Sequence, residues 1–346
     1  MFLILIVIVI LIVIVFHQAS SFTQPSSYAI MPNPKRSTPA GEHRPVMLDA
    51  VLEVLDPQPG QTAVDCTVGW AGHSVEILRR LGPQGVLIGL DWDAENLPKA
   101  RERLQAEGHP FHLEHANFAS LTTVLHRHGL ERVDLILADL GMSSMQVDDS
   151  ERGFSYRRDG PLDMRMDRSR GRTAAQMLAT IGEAELAQAL RTWGDEEQAD
   201  KIAAAVVVAR AAEPLERTSQ LARVVQLATG QSRWRLQPHP GKWQTHPAAK
   251  TFQALRLLVN RELGNLEHLL RMLPEALSSG GKAALISFHS GEDRLIKAAL
   301  RGGRQTGTYD GGSEDIVRPE VGERQSNPRA RSAKLRWVRR APEAEE

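Results

Sequence analysis

Between residues 63 and 140 the chain alternates short apolar runs with amphipathic stretches. Residues 63–67, 86–90, 111–115 and 133–140 read as strands. Residues 72–81, 94–107 and 121–128 read as helices, closed by Gly82-Pro83, Gly108 and Gly129. Strands this apolar bury both faces, and helical crossovers place them parallel, so the pattern predicts an α/β fold with a covered parallel sheet. A short helix over 49–55 precedes the first strand and stops at Pro57 and Pro59-Gly60. After Gly141 the rhythm changes. Residues 172–230 read as helical, with Thr218 capping a helix that ends at Gly230. Residues 251–273 place Phe252, Leu255, Val259, Leu263, Leu266 and Leu270 at the spacing of one helix. Gly280-Gly281 leads into a fifth strand over 283–288. The predicted organisation is a sheet domain at 43–141 and 246–340, interrupted by a helical insertion at 142–245.

The 346 residues allow one large or two ordinary domains, and 42% hydrophobic with 24% charged residues excludes a wholly disordered chain. Cys66 is the single cysteine, which excludes an internal disulfide and a cysteine-rich zinc site. No metal cluster is evident. Residues 2–16 are apolar without a break. As a helix they would span roughly 22 Å, short of the roughly 30 Å bilayer core. They suit a signal-peptide core, yet no Lys or Arg precedes them. Residues 17–42, rich in Ser, Pro, Thr and Gln, read as a disordered linker. The expectation is a translation start at Met31, which loses no motif; a true apolar extension or a targeting segment are the alternatives.

In open parallel sheets ligands bind at the carboxyl ends of the strands. Asp65 ends the first strand, and Gly69 and Gly72 would let a ligand approach the backbone. Asp91 ends the second strand, nineteen residues after Gly72, where a carboxylate can accept both hydroxyls of a ribose. A dinucleotide site wants a third glycine and a helix N-terminus facing phosphate. Here an acidic strand end favours a cationic ligand, hence S-adenosylmethionine over NAD. Asp139 ends the fourth strand and is followed by Ser143, Ser144 and Gln146, a set able to orient a substrate amine. The long stretch 148–167 mixes Gly, Pro, aromatics and both charges, and a structureless loop of that length predicts function. His289, after the last apolar strand, is either a proton acceptor or a hydrogen bonder at the rim.

Net charge is zero, so the whole chain does not advertise a nucleic-acid binder. The charge is uneven, however. Residues 231–261 carry Arg233, Arg235, Lys242, Lys250, Arg256 and Arg261 with no acid, and residues 321–340 carry seven cations against Glu323. Trp234, Trp243 and Trp337 lie among them, and cations interleaved with aromatics suit a phosphate backbone and unstacked bases.

Taken together, HRPVM (43–47), DCTVGWAGHS (65–74), DLGMSSMQVDDSERGFSYRRDGPLDMRMD (139–167), HPAAKTFQALRLLVN (246–260), ISFHSGEDR (286–294) and NPRARSAKLR (327–336) resemble the bacterial ribosomal RNA small subunit methyltransferase H family. The resemblance covers about residues 43–338. It implies a Rossmann-like class I methyltransferase with a helical, substrate-recognising insertion. It implies S-adenosylmethionine as the cofactor and N4-methylation of one cytidine, position 1402, in the decoding region of 16S rRNA. The family's cofactor contacts fall here on Ala71, Gly72, His73, Asp91, Phe118, Asp139 and Gln146, with Asp139 the candidate catalytic residue. The implied partner is 16S rRNA in the small ribosomal subunit, in the cytoplasm, with no stable membrane partner and a homodimer left open. The chain departs from the family's usual pattern at Trp70-Ala71, where Arg-Gly is common, at Trp92 for Arg, at Met145 for Pro and at Gly291 for Leu. The alternatives are the same fold acting on another amine, and an RNA-binding ribosome assembly factor without catalysis.

Overall fold

Val64, Leu87, Ile88, Leu90, Ile136, Leu137 and Ala138 leave no polar side chain to face water, and all are fully buried or nearly so in the computed structural model of the chain. The structure describes residues 45–231 and 246–343. The apolar run at 2–16, the linker, His43, Arg44 and the sequence-singled Arg233, Trp234, Arg235, Lys242 and Trp243 lie outside the described residues.

Helix α1 (Leu48–Leu55) leads into β1 (Thr62–Asp65), α2 (Gly72–Leu81), β2 (Val86–Asp91), α3 (Leu97–Gln105), β3 (Phe111–His115), α4 (Leu121–Arg127) and β4 (Val133–Asp139). A helical region follows: α5 (Ser144–Asp148), α6 (Ala174–Leu178), α7 (Glu183–Gly194), α8 (Ala199–Ala212) and α9 (Thr218–Ala228), then α10 (Ala249–Asn260) and α11 (Glu262–Ala276). The chain closes with β5 (Leu277–Ser287), α12 (Ser290–Gln305), β6 (Tyr309–Gly312), α13 (Val321–Ser326) and β7 (Lys334–Arg340). The sheet has seven strands in the order β3-β2-β1-β4-β5-β7-β6. β1 through β5 run parallel, and β7 is antiparallel to both β5 and β6. Strand order reverses at β1 and β4, which puts a crevice at the carboxyl ends of those strands. The Rossmann-like α/β expectation is met.

One core layer packs α4, α11 and α12 against the sheet, and a second packs α1, α2 and α3 against its other face. A third apolar cluster joins Phe154, Leu162 and Met164 to α6–α9 and to Phe252 and Leu255 of α10. Among the described residues no helix is long and apolar enough to cross a membrane.

The structure departs from the sequence reading in four places. The helix expected over 251–273 is two helices, because Arg261 takes a left-handed conformation at φ 50°. Asn260 fixes that break: its amide donates to the Met164 carbonyl at 2.7 Å and accepts from the Met166 N–H at 2.8 Å. Apolar spacing runs through the break undisturbed, so periodicity cannot reveal it. The fifth strand begins at Leu277, six residues early, because Leu277 already pairs with Val133. Residues 334–340 are a strand rather than an RNA-facing run. Leu335 and Val338 are fully buried, Trp337 packs against the core, Arg336 and Lys334 pair with Asp293, and Arg339 pairs with Asp310. Finally, Thr218 is the first residue of its helix rather than its cap. Its hydroxyl accepts from the Gly160 N–H and donates to the Arg158 carbonyl.

That hydroxyl clamps the 148–167 loop. Gly160 also passes so close to the neighbouring turn that a Cβ there would lie 1.9 Å from the Ser150 carbonyl oxygen. Backbone on both sides leaves no room to yield. Gly160→Ala should therefore lower stability by at least about 2 kcal/mol in urea unfolding; an unchanged midpoint would show that the loop is not held there.

Candidate active site

Three carboxylates stand at the carboxyl ends of adjoining strands: Asp65 on β1, Asp91 on β2 and Asp139 on β4. Above them opens a cavity of about 330 Å³. Gly72, His73, Asp91, Phe118, Asp139 and Gln146 all line it. Ala71 does not; it is fully buried behind the loop, in the second core layer.

Asp65 is not a cavity residue either. Its Oδ2 accepts from the Ser74 hydroxyl at 2.5 Å and its Oδ1 from the Thr67 N–H at 3.0 Å. It acts through Thr67, whose hydroxyl accepts from the Asp139 N–H at 2.7 Å. The argument for a cationic ligand passes from Asp65 to the acids that do line the cavity, among them Asp91, Asp93, Asp139, Glu262 and Glu292.

Asp91 organises the turn after β1. One oxygen accepts from the Gly69 N–H at 2.7 Å, and the other from the Asp93 N–H at 2.7 Å and the Asn96 amide at 3.2 Å. Each carboxylate oxygen keeps some capacity for a ligand hydroxyl. Burial pushes Asp91 up to about 6, against the backbone donors that hold it down. Gly69 has φ 50°, as the turn requires. Gly72 lines the cavity and also allows a close packing contact, since a Cβ there would meet Pro45 Cγ at 2.6 Å.

Asp139 is the most open acceptor. Its Oδ1 is buried with no hydrogen-bond partner, and its Oδ2 lies 3.8 Å from His73 Nδ1. Burial pushes it up to about 6; the His73 ring opposes that shift and the Asp65 charge adds to it. His73 is oriented from behind, its Nε2 lying 2.9 Å from the Val46 carbonyl. The Trp92 indole N–H, also on the cavity wall, is a buried donor without a partner. Cys66 lies at the end of β1, and burial pushes its thiol up, which keeps it from acting as a nucleophile.

Gln146 is committed to structure. Its oxygen accepts from the Ser143 N–H at 3.0 Å in a capping box on α5, and its amide donates to Asp93 Oδ2 at 2.8 Å. The same Asp93 oxygen receives Arg152 Nη1 at 2.6 Å, and Arg152 Nη2 donates to the Arg165 and Met166 carbonyls. Asp93 and Arg152 are each 3% exposed. This buried pair ties the end of β2 to the 148–167 loop.

Arg256, expected among phosphate-suited cations, is instead buried beside Glu262. Arg256, Glu262, Asn265, Glu292 and Arg329 line the same cavity. Arg256, Glu292 and Arg329 each sit inside one of the downstream motifs, so the shared destination of those motifs was the available signal. His289 is the N-cap of α12: its Nδ1 accepts from the Glu292 N–H and its Nε2 lies 3.0 Å from Glu292 Oε1. Among the described residues no group of His, Cys, Asp and Glu could hold a metal ion.

The family model described as the MraW methylase family matches residues 40–341. The ribosomal RNA small subunit methyltransferase H of Syntrophobacter fumaroxidans is 42% identical over 318 residues, covering 87% of this chain and 97% of that protein. The protein of the same name from Chromobacterium violaceum is 43% identical over 328 residues, covering 88% and 97%. That of Nitratidesulfovibrio vulgaris is 45% identical over 264 residues, covering 75% and 70%.

Two stability tests follow from the site. Removing one member of a buried pair strands the other charge, so Arg152→Met should cost about 3–5 kcal/mol, and adding Asp93→Asn should recover part of it. Urea unfolding checks both, and a silent Arg152→Met would remove the pair's structural role. Ala71 sits at φ 59°, where a Cβ costs about 1–2 kcal/mol. Ala71→Gly should raise stability by up to about 1 kcal/mol, since glycine also loses more chain entropy on folding. A fall would mean that packing of the Ala71 methyl outweighs its backbone strain.

Proposed function

The chain belongs to the MraW methylase family, and from that membership we propose that it transfers a methyl group from S-adenosylmethionine to N4 of one cytidine, position 1402, in 16S rRNA. The observation that carries the reading is the single cavity shared by Asp91 and Asp139. It offers a ribose-type acceptor at one strand end and an unpartnered carboxylate oxygen at the next. Its acidic lining suits a sulfonium and an ammonium. The open Trp92 donor and the open Asp139 acceptor show that the cavity fits a polar ligand. When bound, S-adenosylmethionine supplies an electrophilic methyl group.

The chain's own residues bind and orient. Asp91 holds the ribose hydroxyls; Gly72, His73, Phe118 and Gln146 form the walls, with Ala71 setting the turn behind them. Asp139 accepts a hydrogen bond from the acceptor amine. The lone pair of an exocyclic amino group is delocalised into its ring, and an acceptor on its N–H lets the nitrogen pyramidalise as it attacks. The remaining acceleration comes from placing donor and acceptor in line. The base must leave its stack or be single-stranded to enter.

We assign residues 142–245 to substrate recognition, and 43–141 with 246–340 to the methyltransferase domain. The substrate is the small ribosomal subunit or its RNA, which places the protein in the cytoplasm. Whether it works as a homodimer is a matter for its solution mass.

Purified protein, labelled S-adenosylmethionine and small subunits should place label in N4-methylcytidine; no label there would sink the reading. At saturating donor, kcat should rise with pH through about 6 and then level off, because Asp139 must be ionised to accept. The sign for stability is opposite: a carboxyl raised by burial favours the folded state when protonated, and that contribution is lost as pH rises through about 6. Asp139→Asn should cut kcat by about 10²-fold and flatten the profile. An unchanged profile would remove Asp139 from the reaction.

A further inference from the structure

Methyl transfer as described uses only the strand-end side of the cavity. The same lining carries Arg256 from α10 and Glu262 from the first turn of α11, joined through the left-handed Arg261. Each is 9% exposed, and Arg256 Nε lies 2.8 Å from Glu262 Oε1. A buried ion pair kept for packing alone closes its hydrogen bonds. This one does not: the two groups are close but misaligned, and both Arg256 Nε and Glu262 Oε1 are buried without a hydrogen-bond partner. The cavity wall thus holds, side by side, an acceptor and a donor that their own contact leaves without a hydrogen bond. Asp139, Glu262 and Glu292 all line this one cavity.

We infer that Arg256 and Glu262 read the acceptor base, Glu262 accepting from its amino group and Arg256 donating to the ring acceptor beside it. The inference rests on the functional reading above. An amino-pyrimidine presents an N–H donor next to a ring nitrogen acceptor. Its carbonyl counterpart presents the reverse, an oxygen facing the carboxylate and an N–H facing the guanidinium. The pair therefore admits cytosine and repels uracil, by mismatch as well as by match. Glu262 thereby supplements Asp139, since the amine has two hydrogens and each can use an acceptor.

Small subunits with cytidine or uridine at the target, labelled S-adenosylmethionine, and the variants Glu262→Gln and Arg256→Met/Glu262→Met test this. Gln keeps an acceptor oxygen, so Glu262→Gln should lose about tenfold in kcat/KM for subunits, and the apolar pair should lose at least about a hundredfold. Affinity for S-adenosylhomocysteine, measured by calorimetry, should stay within about threefold in both, which a merely structural role would not separate from turnover. Wild-type label in cytidine with the double variant near wild-type turnover overturns the inference alone. If the double variant does not fold, Glu262→Gln decides, and an unchanged kcat/KM for subunits overturns it. A wild type that labels no cytidine defeats the functional reading, and this inference with it. Equal labelling of uridine-bearing subunits by the wild type overturns the discrimination.

Discussion

The ion pair of Arg152 with Asp93 is the constraint on which the site depends. Asp93 follows the strand end that carries Asp91, and Arg152 belongs to the 148–167 loop that Thr218 clamps at its far side. One guanidinium spans the two, and its second nitrogen gathers the Arg165 and Met166 carbonyls. Gln146 joins at the same Asp93 oxygen. Buried polar networks of this kind fix geometry well when their members are satisfied, and are costly when broken. Charge therefore ties the loop to the end of β2, while Phe154, Leu162 and Met164 anchor it in the third apolar cluster. That explains how a Gly- and Arg-rich stretch holds a defined shape.

The same burial sets the chemistry. Burial pushes both Asp91 and Asp139 up to about 6. Each is a better proton and hydrogen-bond acceptor for it. Neighbouring acids reinforce the effect, while His73 and Arg329 temper it at Asp139. A cavity with this balance stabilises positive charge on a ligand; backbone N–H donors fix the Asp91 carboxylate, and the Asp139 N–H, donating to the Thr67 hydroxyl, fixes the end of β4 before any ligand arrives.

Much of this was legible in the sequence, for identifiable reasons. β1 to β4 are read directly because an apolar run bounded by turns has few other uses. Asp91 and Asp139 follow because strand ends face the crevice. The β6–β7 hairpin was not legible. KLRWVRR alternates cations with apolar residues, and composition alone cannot say whether Arg336 meets a phosphate or Asp293. Arg261 was missed because a left-handed arginine leaves no periodic trace. Glu262 was missed, and Arg256 was read as a phosphate-suited cation, because their six-residue separation becomes a buried contact only through that turn.

The place of β7 in the sheet has a further consequence. It lies between β5 and β6 and is bonded to both, while Arg329 and Ser332, just before it, form part of the cavity wall. Residues 62–139 can pair among themselves as they emerge during synthesis, but the sheet cannot close until residues 334–340 have been made. The cavity is therefore assembled from the two ends of the described chain and completed late. A nascent chain still lacking β7 holds Asp91 and Asp139 in sequence but not yet a finished pocket, so catalytic competence arrives as one late event rather than growing with chain length.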